Sequence, residues 1–229
     1  MMYQPIFKDR RQAGQVLADH LKEFENRDDV IVLALPRGGV PAAFEVAKAI
    51  NAPLDVFVVR KLGVPGQEEL AFGAIATGGV TIYNEEILRS LRMPSELLEF
   101  IVKREEAELK RREDLYRMGR PPLDVTGKTV IVVDDGLATG ASMAAAVEAL
   151  KRSSANEIIV AVPVASKEAC TELRSLEKVS SVCVETPEPF FGVGVWYKDF
   201  SQTTDDEVQE LLASTRGVSG GSKTAGIGK

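Results

Sequence analysis

Apolar positions change their period along the chain, and those changes divide it into alternating helices and strands. Between residues 10 and 26, Val16, Leu17, His20, Leu21 and Phe24 recur at helical spacing. Residues 30–35 are apolar without interruption, as a strand covered on both faces requires. That run stops at Pro36-Arg37-Gly38-Gly39. A helix is predicted next over about 40–50, with Pro41 tolerated in its first turn. Residues 54–60 read as a second strand. Residues 61–69 read as a loop, because Gly63, Pro65 and Gly66 punctuate them. Two short strands, 72–76 and 80–83, flank Thr77-Gly78-Gly79, which is a hairpin signal.

Helical patterns follow over about 84–91 and 95–118. The second has Ser95 as its candidate N-cap and Gly119-Arg120-Pro121-Pro122 as its stop. Residues 129–133 form another apolar strand, which passes through 134–142 into a helix ending near 152. Strand, helix, strand and helix then follow at about 157–163, 167–176, 179–184 and 205–214. This alternation predicts an α/β fold: a parallel sheet with helices on both faces. One domain is expected over 1–215, with an aromatic-rich segment at about 185–203. Residues 216–229 are rich in Gly, Ser and Lys without apolar periodicity and are expected to be a disordered tail. Within it, Gly221-Ser222-Lys223-Thr224 lacks both the spacing of a P-loop and a preceding strand.

Composition removes several function classes. The net charge of -6 at pH 7 argues against a nucleic-acid partner, which would draw on a basic surface. The basic residues around 103–120 are interrupted by acids, as on a solvated helix face. No run approaches the roughly 18 apolar residues of a membrane span, and Met1-Met2-Tyr3-Gln4-Pro5 has no signal core. Cys170 and Cys183 form neither a zinc spacing nor a disulfide framework, so a reducing cytoplasm is the expected location. The single histidine, His20, rules out multi-histidine metal sites. No Gly-x-Ser-x-Gly elbow accompanies it, so it reads as a structural or surface residue.

The segment from Val130 to Ser142 carries the clearest chemistry. A buried strand delivers Asp134 and Asp135 to the carboxyl edge of a parallel sheet, where open α/β folds bind ligands. Thr139-Gly140-Ala141-Ser142 then opens a helix, whose free N–H groups and dipole favour an anion. Acceptors for hydroxyls therefore stand beside donors for a phosphate, the pattern a phosphorylated ribose presents. A phosphatase would need Asp-x-Asp after the strand, and position 136 is glycine.

This segment resembles the signature of the type I phosphoribosyltransferases, which bind 5-phosphoribosyl 1-pyrophosphate (PRPP). The resemblance spans roughly residues 10–213 and implies that family's fold, with residues 185–203 as its hood. Asp134 and Asp135 would hold the ribose hydroxyls, directly or through Mg²⁺. Ala138, Thr139, Gly140, Ala141 and Ser142 would wrap the 5'-phosphate. Arg37, Gly38 and Gly39 match the pyrophosphate loop, where the family often has a cis non-proline peptide. Arg60 and Lys61 match the hinge of a mobile catalytic loop, in which Glu68 or Glu69 could be an acid/base group. Residues 187–200 resemble the hood of hypoxanthine-type enzymes. Phe191 is there the candidate to stack on the base, with Val193 beside it, and Asp199 is the candidate on the metal side.

One position departs from that pattern. Hypoxanthine-type enzymes carry an aspartate just before the motif threonine, and here the residue is Ala138. Alanine at this position resembles the adenine-type enzymes, where a loop glutamate takes a similar part; here that would be Glu68 or Glu69. The resemblance implies a cytoplasmic enzyme that joins PRPP to a small-molecule acceptor, with homo-oligomerisation, for which the charged helix at 95–118 is a candidate contact. A PRPP- or nucleotide-binding regulator without turnover is the alternative.

Overall fold

The computed structural model describes residues 4–91 and 93–215, without the side chains of Glu68 and Glu69. The tail expectation at 216–229 lies outside these residues. The first helix, α1 (Arg10–Asp19), starts where the Asp9 side chain accepts from Gln12 N, an N-cap that satisfies a donor left over at a helix start. It is shorter than its periodicity predicts. The chain tightens into a 3-10 turn at Lys22–Phe24 that still buries Leu21 and Phe24. Then come β1 (Val30–Ala34), α2 (Gly39–Ile50) and β2 (Leu54–Val56).

The region after β2 corrects the sequence reading. The strand expected over 54–60 breaks after Val56, and the loop expected over 61–69 is a β-hairpin. Its strands are β3 (Val59–Val64) and β4 (Gln67–Ala76), paired antiparallel from Val59↔Ala76 to Val64↔Gln67. Pro65-Gly66 forms the tight turn, where Gly66 has φ +78, the positive φ that the residue after proline adopts in a type II turn, and Gly63 sits where the register of the pair shifts. Thr77 anchors the break: its Oγ1 accepts from Val58 N at 2.9 Å, and its N donates to Val58 O at 2.9 Å. A third strand, β5 (Val80–Tyr83), completes this small sheet.

Two helices follow, α3 (Glu85–Leu91) and α4 (Ser95–Arg117). The remaining elements are β6 (Thr129–Val133), α5 (Ala141–Arg152), β7 (Glu157–Val164), α6 (Lys167–Arg174), β8 (Val179–Glu185) and α7 (Asp205–Ser214). The five central strands are all parallel, in the order β2-β1-β6-β7-β8. Side chains alternate along a strand, so β6 serves two cores. Ile131 and Val133 join α1, α2, α4 and α7 on one face, and Val130 and Val132 join α5 and α6 on the other.

Sheet order also fixes where a ligand can sit. From β1 the chain moves outward to β2 on one side and, later, from β6 to β7 and β8 on the other. The loops leaving β1 and β6 diverge at neighbouring carboxyl ends, and such a switch point opens a crevice. A second correction concerns the cysteines. β8 runs under α6 and brings the Cα atoms of Cys170 and Cys183 to 6.5 Å, and the two form a disulfide. That contact comes from the crossover between α6 and β8, which residue spacing does not reveal. Among the described residues, no helix is long and apolar enough to cross a membrane.

Candidate active site

Both predicted loops leave the sheet side by side. Leu35 N donates to Val133 O at 2.9 Å, which zips the end of β1 to β6. The Pro36–Arg37 peptide is cis, as the resemblance implies. Gly38 and Gly39 lie directly against the acids. A Cβ on Gly39 would come within 2.7 Å of Val133 O and 2.9 Å of Asp134 Cα, and one on Gly38 would overlap the Asp135 carboxylate. Only glycine allows this approach.

The acids are already partly engaged. Asp134 Oδ1 accepts from Asp135 N at 2.8 Å, and Asp135 Oδ2 accepts from Arg10 Nε at 2.7 Å. Tyr197 donates its hydroxyl to the Asp135 carbonyl at 2.5 Å. Burial, then the adjacent Asp135 charge, pushes the Asp134 carboxyl above the usual range. Burial also raises Asp135, though Arg10 opposes this. Burial raises the Tyr197 phenol as well, keeping it a donor.

Beyond the acids, Gly136 lies under the hood: a Cβ there would meet Val193 Cγ1 at 2.6 Å and Val164 O at 2.9 Å. Leu137 N donates to Val164 O and Ser166 N donates to Leu137 O, fixing the loop to β7. Ala138 and Thr139 then arch out exposed. Gly140 turns the chain into α5 with φ +70 and no side-chain cap. The first N–H groups of a helix have no intrahelical partner, so this start is open to an anion. Ser166 Oγ supports the arch by donating to Ala138 O at 2.8 Å.

Beside the arch lies a cavity of about 770 Å³ whose walls include Thr139, Ser166, Lys167, Glu188 and Phe191. Phe191 is 64% exposed and forms part of the cavity wall. Its neighbours divide differently. Trp196 and Tyr197 are buried with Phe7 and Val164, and Phe190 packs on Trp196. Val193 packs against Gly136 and is not part of the cavity wall. Lys167 and Glu188 pair at 3.3 Å across the rim.

The candidate cations are more dispersed. Arg37 reaches Asp205 at 3.4 Å. Arg60 is clamped by the buried Glu105 of α4, through Nη2 at 2.6 Å and Nε at 2.9 Å. Lys61 is exposed and lines a second concavity between β4, β5 and α5, whose wall includes Ala141 at the start of α5. Glu68 and Glu69 lie on β4, and their side chains are outside the described residues. Asp199 Oδ1 accepts from Ser201 N at 3.0 Å, which holds its carboxyl below the usual range. Among the described residues, no three His, Cys, Asp or Glu side chains gather as a metal cluster, so Asp199 does not join Asp134 and Asp135.

Sequence reasoning missed Arg10, Tyr197 and Ser166. Arg10 sits 125 residues from Asp135, and no local motif marks it. Ser166 had a weak signal as a serine directly before a helix, where it also accepts from Ala169 N.

Comparisons with known proteins agree with this geometry. The family described as Phosphoribosyl transferase domain matches residues 8–199. A Mycobacterium tuberculosis protein whose name carries the words phosphoribosyl transferase is 43% identical over 207 residues, covering 90% of this chain and 46% of its own length. The chain thus spans about half the length of the curated relatives it matches. The crystal structure of TT1426 from Thermus thermophilus is 40% identical, with a TM-score of 0.79, covering 91% of this chain and 98% of that one.

Proposed function

The chain belongs to the phosphoribosyl transferase domain family, and from that premise we propose that it uses PRPP as donor to a nitrogenous base or related small molecule, releasing pyrophosphate. One observation carries the reading. Two acids, each with one oxygen already engaged, stand at a sheet switch point directly before an uncapped helix start.

In this reading the arch from Ala138 to Ser142 receives the 5'-phosphate on backbone N–H groups. Asp134 and Asp135 accept from the 2'- and 3'-hydroxyls. The acceptor's ring stacks on Phe191, with Val193 fixing the hood above Gly136. Its nitrogen attacks C1 of the ribose as the bond from C1 to the pyrophosphate oxygen breaks. Such a transition state has oxocarbenium character, so positioning and charge stabilisation supply the rate. Arg37, Gly38 and Gly39 cradle the leaving pyrophosphate, joined by Arg60 and Lys61 when the β3–β4 hairpin closes.

The donor set suits Mg²⁺. That ion keeps several waters and needs only one or two carboxylates beside the substrate's phosphates, and Asp134 and Asp135 offer two. Bound with PRPP, it would offset the charge of the leaving group. Asp199 would act on it from the hood side through water. Ala138 carries no proton, so an acid or base for the acceptor must come from elsewhere, and Glu69 on the hairpin is the candidate.

A second reading, a PRPP- or nucleotide-binding regulator, is favoured by one observation: Glu105 holds Arg60 in a two-point ion pair. A pyrophosphate-release assay with PRPP, Mg²⁺ and a panel of bases separates the two. Release with any base supports the transferase. PRPP binding without release for any acceptor supports the regulator.

A further inference from the structure

We infer that Arg10 is a positioning residue for the ribose site: by holding Oδ2 of Asp135, it leaves each of the two acids one oxygen for a ribose hydroxyl. The inference rests on the PRPP reading above and concerns how that site tells a vicinal diol from a single hydroxyl.

Arg10 opens α1, and its side chain is only 11% exposed. Three different groups fix its guanidinium. Nε donates to Asp135 Oδ2 at 2.7 Å, and Nη1 donates to Ser201 O at 2.6 Å. The plane lies over the Phe200 ring, 3.8 Å from its centroid. A planar fork can meet a carboxylate, a carbonyl and a ring face at once, which an ammonium cannot.

The count of carboxylate oxygens gives the consequence. Asp134 Oδ1 is taken by Asp135 N, and Asp135 Oδ2 by Arg10. Among the described residues, the side-chain hydrogen bonds of the two acids fall on Asp134 Oδ1 and Asp135 Oδ2. The other oxygen of each acid is left for the ligand, and adjacent hydroxyls need two acceptors side by side. Without Arg10, the Asp135 carboxylate would be free to turn, and its charge would face Asp134 uncompensated.

The same guanidinium ties the ribose site to the hood. Phe200 and Ser201 stand near the end of the aromatic segment. That segment pairs with the chain just before α1: Lys198 N donates to Phe7 O at 2.8 Å, and Asp199 N donates to Lys8 O at 2.9 Å. The N-terminal segment, the hood and the second acid therefore meet at Arg10. Its neighbour Arg11 faces away, pairing with Glu45 of α2.

The test compares ribose 5-phosphate, 2-deoxyribose 5-phosphate and inorganic phosphate by titration calorimetry. The intact protein should prefer ribose 5-phosphate over the deoxy sugar. Arg10→Met should cut that preference by about tenfold, as loss of a charge-assisted hydrogen bond implies, with inorganic phosphate held as before. Arg10→Lys keeps the charge on Asp135 without the fork and should cut the preference about threefold. An unchanged preference in either variant overturns the inference. So does a parallel loss of all three ligands, which marks a merely structural role. If the intact protein binds neither ribose 5-phosphate nor PRPP, the PRPP reading itself falls and takes this inference with it.

Discussion

Gly38 leaves no room for a methyl group beside Asp135: a Cβ on Gly38 would overlap Oδ2, the oxygen that Arg10 holds. The loop after β1 and the acids after β6 are therefore one packed unit. Gly38→Ala must push the carboxylate off Arg10. Overpacking of this kind costs about 1–3 kcal/mol, and the displaced acid should weaken PRPP about tenfold or more. In Gly39→Ala the clash is with Val133 O and Asp134 Cα, backbone that cannot turn aside. Denaturant melts should thus show a larger stability loss for Gly39→Ala than for Gly38→Ala. The reverse order would mean that the loop does not pack as described.

Tyr116 joins α4 to the start of α7 by donating to Asp205 at 2.6 Å. Tyr116→Phe should cost about 1 kcal/mol, a typical net hydrogen bond to a partly exposed acceptor. At this chain length that is a Tm drop of about 2–4 °C. The pH dependence has a definite sign. Burial, then the bond to Asp205, raises the phenol from 10.0 to about 12. A raised folded-state value means its stabilisation is full below pH 10 and is lost as pH rises toward 12. Asp205 shifts the other way, held low first by Tyr116, so its part is lost only in acid. Thermal melts from pH 9 to 12 should show a shallower alkaline decline in Tyr116→Phe than in the parent chain.

Phe191 and Trp196 should separate binding from stability. Phe191→Ala, at an exposed ring, should change stability by less than about 0.5 kcal/mol while weakening any aromatic acceptor. Trp196→Ala, inside the aromatic cluster, should cost about 3–5 kcal/mol. Equal melting losses in both variants would contradict the division of the hood into a packed part and a presented part.

The Cys170–Cys183 disulfide closes a short loop between α6 and β8. Loop-closure entropy for about 15 residues is worth about 3 kcal/mol. Reductant should therefore lower Tm by several degrees, and thiol titration of the unreduced, denatured chain should find both cysteines blocked. Two free thiols would show that the pair is not joined.

Much of this was legible in the residues. Uninterrupted apolar runs at 30–35 and 129–133 became the central strands because burial on both faces leaves no alternation to mislead. Asp134, Asp135 and Gly140 were legible because strand, turn and helix start are contiguous in the chain. The β3–β4 hairpin was not. Gly63, Pro65 and Gly66 punctuate it like a loop, yet Gly63 pairs with Ala71 and Val64 with Gln67 across the Pro65-Gly66 turn, a backbone pairing that side-chain periodicity does not report. Arg10, Tyr197 and the Cys170–Cys183 contact were hidden for a different reason, since each acts on a partner brought near only by the sheet crossovers. Arg60 matches the hinge of a mobile catalytic loop only through the family resemblance. Its tie to Glu105 came into view only when α4 packed across the hairpin.

The most direct test is PRPP binding measured by calorimetry with Mg²⁺ on the intact chain and on Asp134→Asn/Asp135→Asn. Two charge-assisted hydrogen bonds at about 1.5–3 kcal/mol each imply a loss of at least about a hundredfold. The expected result is clear binding by the intact chain, none measurable by the double variant, and unchanged binding of inorganic phosphate at the start of α5. PRPP binding of equal strength in the two proteins would contradict it.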